Sequence, residues 1–330
     1  GTMPFAHPSY PPLIGGSVAL AWQVTGDHSY RLGSVIVACL NAACVLAVGW
    51  ALFEVGRRAA AGAKKAREVV ATSVSAAASV LVVFAAFGVA GPFATNGYAD
   101  LLWSAAAVGA IAYGLVMPPF GGSVGAAAVL LAVAGLTKDE GIAIGMVVVV
   151  LIAARRVSGA DRRRWPILAG VVGVGFLGAW PVLVRLLGVH GDVPNVGSTT
   201  DRVTRVRLTF DAIVPHLHVV LLAVPLSVIG TLVATAARRA AGVGNDLWSW
   251  GAIAIGTALI GGVYVTGPGN VEFWLFTSVH RTTIFTAIGV WWEVGVWTTL
   301  CTAAFARGRE RSVASMERGQ VLETGPLPAI

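Results

Sequence analysis

The sequence predicts an all-α protein, a polytopic bundle of about nine transmembrane helices with one further helix lying along the membrane surface. Three observations predict it. Apolar stretches near or beyond 18 residues, long enough to span a membrane as helices, recur from one end of the chain to the other. Only 12% of the 330 residues are charged, against roughly 25% in a soluble domain, and mean hydropathy is +0.77. The arginines fall in short clusters between apolar stretches, the pattern of cytoplasmic loops under the positive-inside rule.

In chain order, "GTMPFAHPSYPP" reads as a polar, proline-rich external loop, and a first helix and loop are expected to be missing ahead of it. Residues 13–25 are apolar but too short to span. They are expected along the outer interface, with Trp22 near headgroup level. Spans are expected at about 32–53, 69–90, 101–117, 122–137, 141–154, 166–187, 212–236, 248–266 and 283–304. Those at 101–117, 122–137 and 141–154 fall short of the roughly 20 residues a span needs, so a tilted, broken or partly re-entrant course is open for each. Residues 1–306 thus form one transmembrane domain, and 307–330 a disordered cytoplasmic tail.

Charge sets the orientation. Arg57, Arg58, Lys64, Lys65 and Arg67 share one loop, and Arg155, Arg156, Arg162, Arg163 and Arg164 another. Arg238 and Arg239 form a third group, and Arg307, Arg309, Arg311 and Arg318 lie in the tail. With all of these in the cytoplasm, segments 1–31, 91–100, 138–140, 188–211 and 267–282 are external. The longest, 188–211, is either an active-site lid or a plain connector.

The same pattern excludes other classes. The net charge of +7 comes from loop arginines, so no nucleic-acid partner is expected. Cys39, Cys44 and Cys301 lie in apolar segments without redox or ligand spacing and read as buried free thiols. No His, Asp or Glu spacing supports a metal cage, so no divalent metal is expected. The tryptophans read as mostly interfacial or lipid-facing. A composition rich in Ala, Val, Gly and Arg points to a bacterial source.

Under this orientation "HPSYPPL", "ATNGYADLLW", "GLTKDEG" and "FTSVHRTTIF" all meet the outer surface. Polar groups gathered at the mouths of several helices are what a membrane-embedded site needs. Asp100 begins a helix, where it either serves a substrate or answers the macrodipole. Thr137 and Glu140 fit a capping box, with Asp139 in the first turn. Lys138 does not fit, because its charge opposes a helix N-terminus, and an anionic partner such as phosphate would resolve the conflict. Arg281, at the outer end of the last span, either binds phosphate through two donors or snorkels to the interface. Ser278 and His280 flank it, and His7 lies beside the prolines. Glu293, near the middle of the last span, is either a bundle-facing glutamate or the coupling residue of a transporter.

These motifs, in this order, resemble the GT-C superfamily of integral-membrane glycosyltransferases, which contains protein mannosyltransferases and the aminoarabinose transferase of lipid A. Pro11, Pro12 and Leu13 match a proline-proline-leucine element after the first external loop, and Asp100 an acidic residue at the outer start of a later span. Leu136, Thr137 and Lys138 match an element ending a short span, and "TSVHR" a Ser-x-x-Arg element. The resemblance implies transfer of a sugar from a polyprenyl-phosphate donor to a cell-envelope glycan, lipid or protein acceptor at the outer face of a bacterial plasma membrane. It implies Asp100 as the catalytic residue on the acceptor side and Lys138 and Arg281 at the donor phosphate. His7, Tyr10, Asn96, Tyr98, Asp139, Glu140 and Ser278 are the substrate-binding candidates. In the family a carboxylate of the first external loop acts as base, yet residues 1–12 contain no Asp or Glu, and Tyr10 stands where the lipid A branch often has lysine. The competing readings are a transporter or lipid-linked-sugar flippase, and a non-catalytic scaffold.

Overall fold

Hydrocarbon offers the backbone no hydrogen-bond partner, so a chain this apolar satisfies its amides within helices. The computed structural model describes residues 11–94, 99–117, 121–157, 177–188, 200–235, 239, 247–267 and 270–323, and among them every regular element is helical. In order they are α1 (Leu13–Thr25), α2 (Tyr30–Ala60), α3 (Lys65–Ala90), α4 (Asp100–Ile111), α5 (Gly121–Thr137) and α6 (Asp139–Val157). Then come α7 (Ala179–Leu186), α8 (Arg202–Val233), α9 (Trp248–Thr266), α10 (Val271–Thr282) and α11 (Ile284–Glu323). A 3₁₀ turn, Gly91–Ala94, follows α3, and a π-helical turn, Ala112–Val116, extends α4.

Tyr30–Ala60, Lys65–Ala94, Trp248–Thr266 and the run Val271–Ala306 are each long and apolar enough to cross a membrane. The two parts of α8, Arg202–His218 and Val220–Val233, are bent by 67° and form either one broken span, the fifth, or a re-entrant loop. Pro215 and Pro225 lie inside it, and each proline removes a backbone donor and crowds the carbonyl four residues back. About nine spans were expected. Of the others, α4 with its π turn and α5 are short apolar helices, and the 166–187 span is described only from Leu177 onward.

The shortness of α4 follows from its place. Every residue from Asp100 to Val116 is buried, and α4 touches α2, α5, α6 and α11. At 1.5 Å per residue α4 and its π turn together cover about 25 Å, short of the roughly 30 Å hydrocarbon core. A helix walled by protein need not match that thickness. Its Trp103 stacks on Phe285 of α11, with centroids 5.8 Å apart and planes at 21°. Gly256 brings α9 against the same ring, since a Cβ there would lie 2.6 Å from Phe285 Cε1; small residues permit such approach between membrane helices.

Two hydrogen bonds fix which helix ends share a side. Arg67 at the start of α3 donates to the Ala306 carbonyl at 3.2 Å, and the Val89 carbonyl near its end lies 3.3 Å from His280 Nε2. One end of the bundle, the basic end, therefore carries Arg67 and the arginines just before it in sequence. The opposite end carries the 3₁₀ turn, the start of α4 and the end of α10.

Several expectations are corrected. Segment 267–282, expected as a connection, contains α10, started by Asn270, whose Oδ1 accepts from Glu272 N–H at 2.8 Å and Phe273 N–H at 3.2 Å. Segment 188–211 turns helical at Arg202, capped by Asp201 accepting from Thr204 N–H at 3.0 Å; residues 189–199 lie outside the described residues. Instead of a disordered tail from 307, α11 continues to Glu323. Cys39 is exposed rather than buried, because it shares the outward face of α2 with Leu46 and Trp50. Trp103 and Trp292 are fully buried core residues rather than interfacial ones.

Candidate functional site

The stretch "GLTKDEG" forms a tight helix–helix turn. Thr137 ends α5 and its hydroxyl donates back to the Val133 carbonyl. Lys138 alone is non-helical, and α6 starts at Asp139. The Lys138 carbonyl accepts from Ile142 N–H at 3.2 Å. The capping box expected from Thr137 and Glu140 therefore does not form, because Thr137 belongs to the helix before the break and not to the one after it. Gly141 makes the turn possible: a Cβ there would lie 2.0 Å from the Ala134 carbonyl oxygen.

The turn aims Lys138 into the bundle. Its Nζ donates to Asp100 Oδ1 at 2.8 Å and lies 3.0 Å from Glu140 Oε1. Asp100 is the first residue of α4, where a carboxylate is favoured by the helix dipole, and its side chain is 1% exposed against 7% for Lys138. Arg281 approaches from the last turn of α10, where a cation is favoured for the opposite reason. Its Nη1 stands 3.5 Å from Asp100 Oδ2, its Nε donates to the Thr277 carbonyl at 3.2 Å, and its side chain is 20% exposed. Three candidates separated by 38 and 181 positions in the chain thus meet on one carboxylate. Taking such charges out of water costs several kcal/mol per ion, which mutual pairing offsets.

The other candidates fall differently. Asp139 is exposed at the start of α6, and Glu140, 24% exposed, belongs to the ion cluster. Ser278 ties two helices: its Oγ donates to the Trp274 carbonyl at 2.6 Å and lies 2.9 Å from the Tyr264 hydroxyl. His280 is exposed, its ring 5.5 Å from Phe93 and 5.2 Å from His216. His7, Tyr10, Asn96 and Tyr98 lie outside the described residues. Glu293 is fully buried in α11.

Sequence reasoning missed the supports. The Tyr264 hydroxyl also meets Thr282 Oγ1 at 2.8 Å, joining α9 to the turn that carries Arg281. Arg205, 4% exposed, closes the end of α9: its Nη2 donates to the carbonyls of Tyr264 at 2.8 Å and Gly267 at 2.7 Å. Asn41 in α2 donates from Nδ2 to the Ala94 carbonyl at 2.7 Å, fixing the 3₁₀ turn that precedes Asp100. A lone Asn within "VACLNAACVL" was the available signal for the last of these. Among the described residues no group of three or more His, Cys, Asp or Glu is arranged to hold a metal ion.

The arrangement holds two cations on one buried anion, at a helix-rich end opposite the basic loops. Two fixed cations can share one anionic group between them, and here that group is the Asp100 carboxylate.

No protein-family model matches the sequence, and no curated protein matches it. Among solved structures, the chain is similar to ArnT from Cupriavidus metallidurans in the apo state, at 17% identity and a TM-score of 0.51. The match covers 88% of this chain and 49% of ArnT, so the chain spans about half the length of the protein it resembles. A second structure of ArnT, bound to undecaprenyl phosphate, gives 16% identity and a TM-score of 0.38 over 94% of this chain and 70% of that one. At such identity the likeness concerns the fold alone, and that fold is a helical membrane bundle, the class expected from the sequence.

Proposed function

We propose that the protein is a membrane glycosyltransferase moving a sugar from a polyprenyl-phosphate donor to a cell-envelope acceptor at the outer face of a bacterial plasma membrane. The observation that carries this reading is the convergence of Lys138 and Arg281 on Asp100. Glycosyl transfer from such a donor expels a lipid phosphate, and cations fixed where that charge develops lower the barrier. Lys138 and Arg281 take this role, with Arg281 offering the bidentate geometry and Lys138 a point charge. The incoming hydroxyl needs a proton acceptor within hydrogen-bond reach, and Asp100 is the carboxylate we place on that side. Asp139 and Glu140 border the same end, and His7, Tyr10, Asn96 and Tyr98 are assigned to substrate contacts from the sequence.

The test is transfer of a radiolabelled sugar from its polyprenyl-phosphate carrier by the full-length protein in liposomes. Label should pass to envelope acceptors, and Lys138→Ala and Arg281→Ala should each suppress it. Movement of the intact lipid-linked sugar between leaflets, without transfer, would favour the transporter reading instead, for which the buried Glu293 is the residue to mutate first.

A further inference from the structure

We propose that Asp100 occupies the anion seat between Lys138 and Arg281 until a lipid phosphate displaces it, so that donor binding and release of the Asp100 carboxylate are a single event. This rests on the reading of the site as one for polyprenyl phosphate. The carboxylate presents one oxygen to each cation, Oδ1 to Lys138 Nζ at 2.8 Å and Oδ2 to Arg281 Nη1 at 3.5 Å. A phosphate would bridge the same pair through two of its own oxygens. The bridge is uneven. The lysine contact has the length of a charge-assisted hydrogen bond, whereas the arginine contact is well beyond it. The loose side is also the open side, with Arg281 20% exposed against 7% for Lys138 and 1% for Asp100.

Charge decides how an anion can enter. The carboxylates of Asp100 and Glu140 already partner the cations of Lys138 and Arg281. The phosphate gains only by taking over contacts that a carboxylate now holds. Exchanging one anion for another keeps both cations partnered throughout, and the displaced, buried carboxylate then needs a new donor, which the acceptor hydroxyl supplies. It also ties the two halves of the reaction together. Without donor, Asp100 is held as a counter-ion; with donor seated, it is detached from Lys138 beside the phosphate and accepts a hydrogen bond from the acceptor hydroxyl.

The test is equilibrium binding of polyprenyl phosphate to the full-length protein in detergent, with polyprenol as the uncharged control. Asp100→Asn removes the competing anion, so it should bind polyprenyl phosphate at least about tenfold more tightly than wild type, the fold-change of one charge-assisted contact, while losing transfer. Equal or weaker binding by Asp100→Asn, with wild type binding well, would overturn the exchange and leave Asp100 as a brace for the two cations. If wild type does not discriminate polyprenyl phosphate from polyprenol, the reading of the site itself falls. Should Asp100→Asn fail to fold, infrared difference spectra of wild type labelled with carboxyl-¹³C aspartate decide the matter. An aspartate carboxylate band must shift on adding polyprenyl phosphate and not on adding polyprenol, and an unchanged band with lipid bound rejects the proposal.

Discussion

The two ends of the bundle each carry a cluster of charges, and they are built in opposite ways. At the basic end Glu54 meets Arg57 at 2.7 Å and Arg58 at 2.6 Å, all on α2 and within about one turn. Arg57 is 52% exposed. At the other end Asp100, Lys138 and Arg281 come from three separate places in the chain, and Asp100 is sealed from solvent. The first cluster forms whenever α2 forms, and the position of Arg57 and Arg58 in its last turn suits the dipole. The second exists only if α4, the α5–α6 turn and α10 arrive together. Packing hydrophobic residues in place of a buried ion pair is often neutral or stabilising, so stability alone does not account for the second cluster, and anion binding is the role we propose for it.

The comparison can be broken at the carboxylates. Asp100→Ala removes the buried carboxylate that Lys138 and Arg281 share and should cost about 3–5 kcal/mol. Glu54→Ala removes partly solvated local pairs and should cost no more than about 1 kcal/mol. Unfolding of both variants in the same detergent measures the difference, and similar costs would mean that the two clusters do the same job. Lys138→Ala should weaken polyprenyl-phosphate binding by about 1.5–3 kcal/mol, whereas Arg57→Ala should leave it unchanged in the same titration.

Smaller effects sharpen the role of the turn. Gly141→Ala drives a methyl into the Ala134 carbonyl and should cost about 1–3 kcal/mol, the usual range for overpacking. Gly88 has nothing within 4 Å of its would-be Cβ, so Gly88→Ala should instead gain about 0.5–1 kcal/mol of helix stability. Opposite signs in thermal melts would separate close approach from mere helix propensity. Smallest of all, Thr137→Ala should change stability by less than about 0.5 kcal/mol, because a threonine bonded back to its own helix adds little. A loss near 1 kcal/mol would restore the capping role that the sequence suggested.

How far the sequence carried the reading depends on the range of the physics. Hydropathy and arginine clustering are local signals, and they located α9 at both ends, α3 closely, and the starts but not the ends of α2 and α11. Lys138 stood out locally as well, since a cation just ahead of a helix opposes its dipole. That conflict pointed to an anion, and the anion in the structure is Asp100. Its identity was not legible, because a pairing across 38 residues leaves no trace in periodicity. The capping box was misread for a related reason. A one-residue break puts the residue before it at the end of a helix, while the sequence pattern looks the same as that of a helix start. For α10 the signals were present, with Asn270 as cap and Glu272 in the first turn, but the charge-based orientation assigned all of 267–282 to an external segment. Arg205 was missed because its partners are backbone carbonyls, which no sequence displays.

The central claim is that Lys138 and Arg281 together form the seat for a lipid phosphate. The most direct measurement is a titration of polyprenyl phosphate and of polyprenol into wild type, Lys138→Ala, Arg281→Ala and the double variant, each shown to be folded. The account predicts that wild type prefers the phosphate, that each single variant loses at least about tenfold in phosphate affinity, and that the double variant binds both lipids alike. Equal phosphate affinity across the four proteins would contradict it, and the buried cluster would then be only a joint between helices.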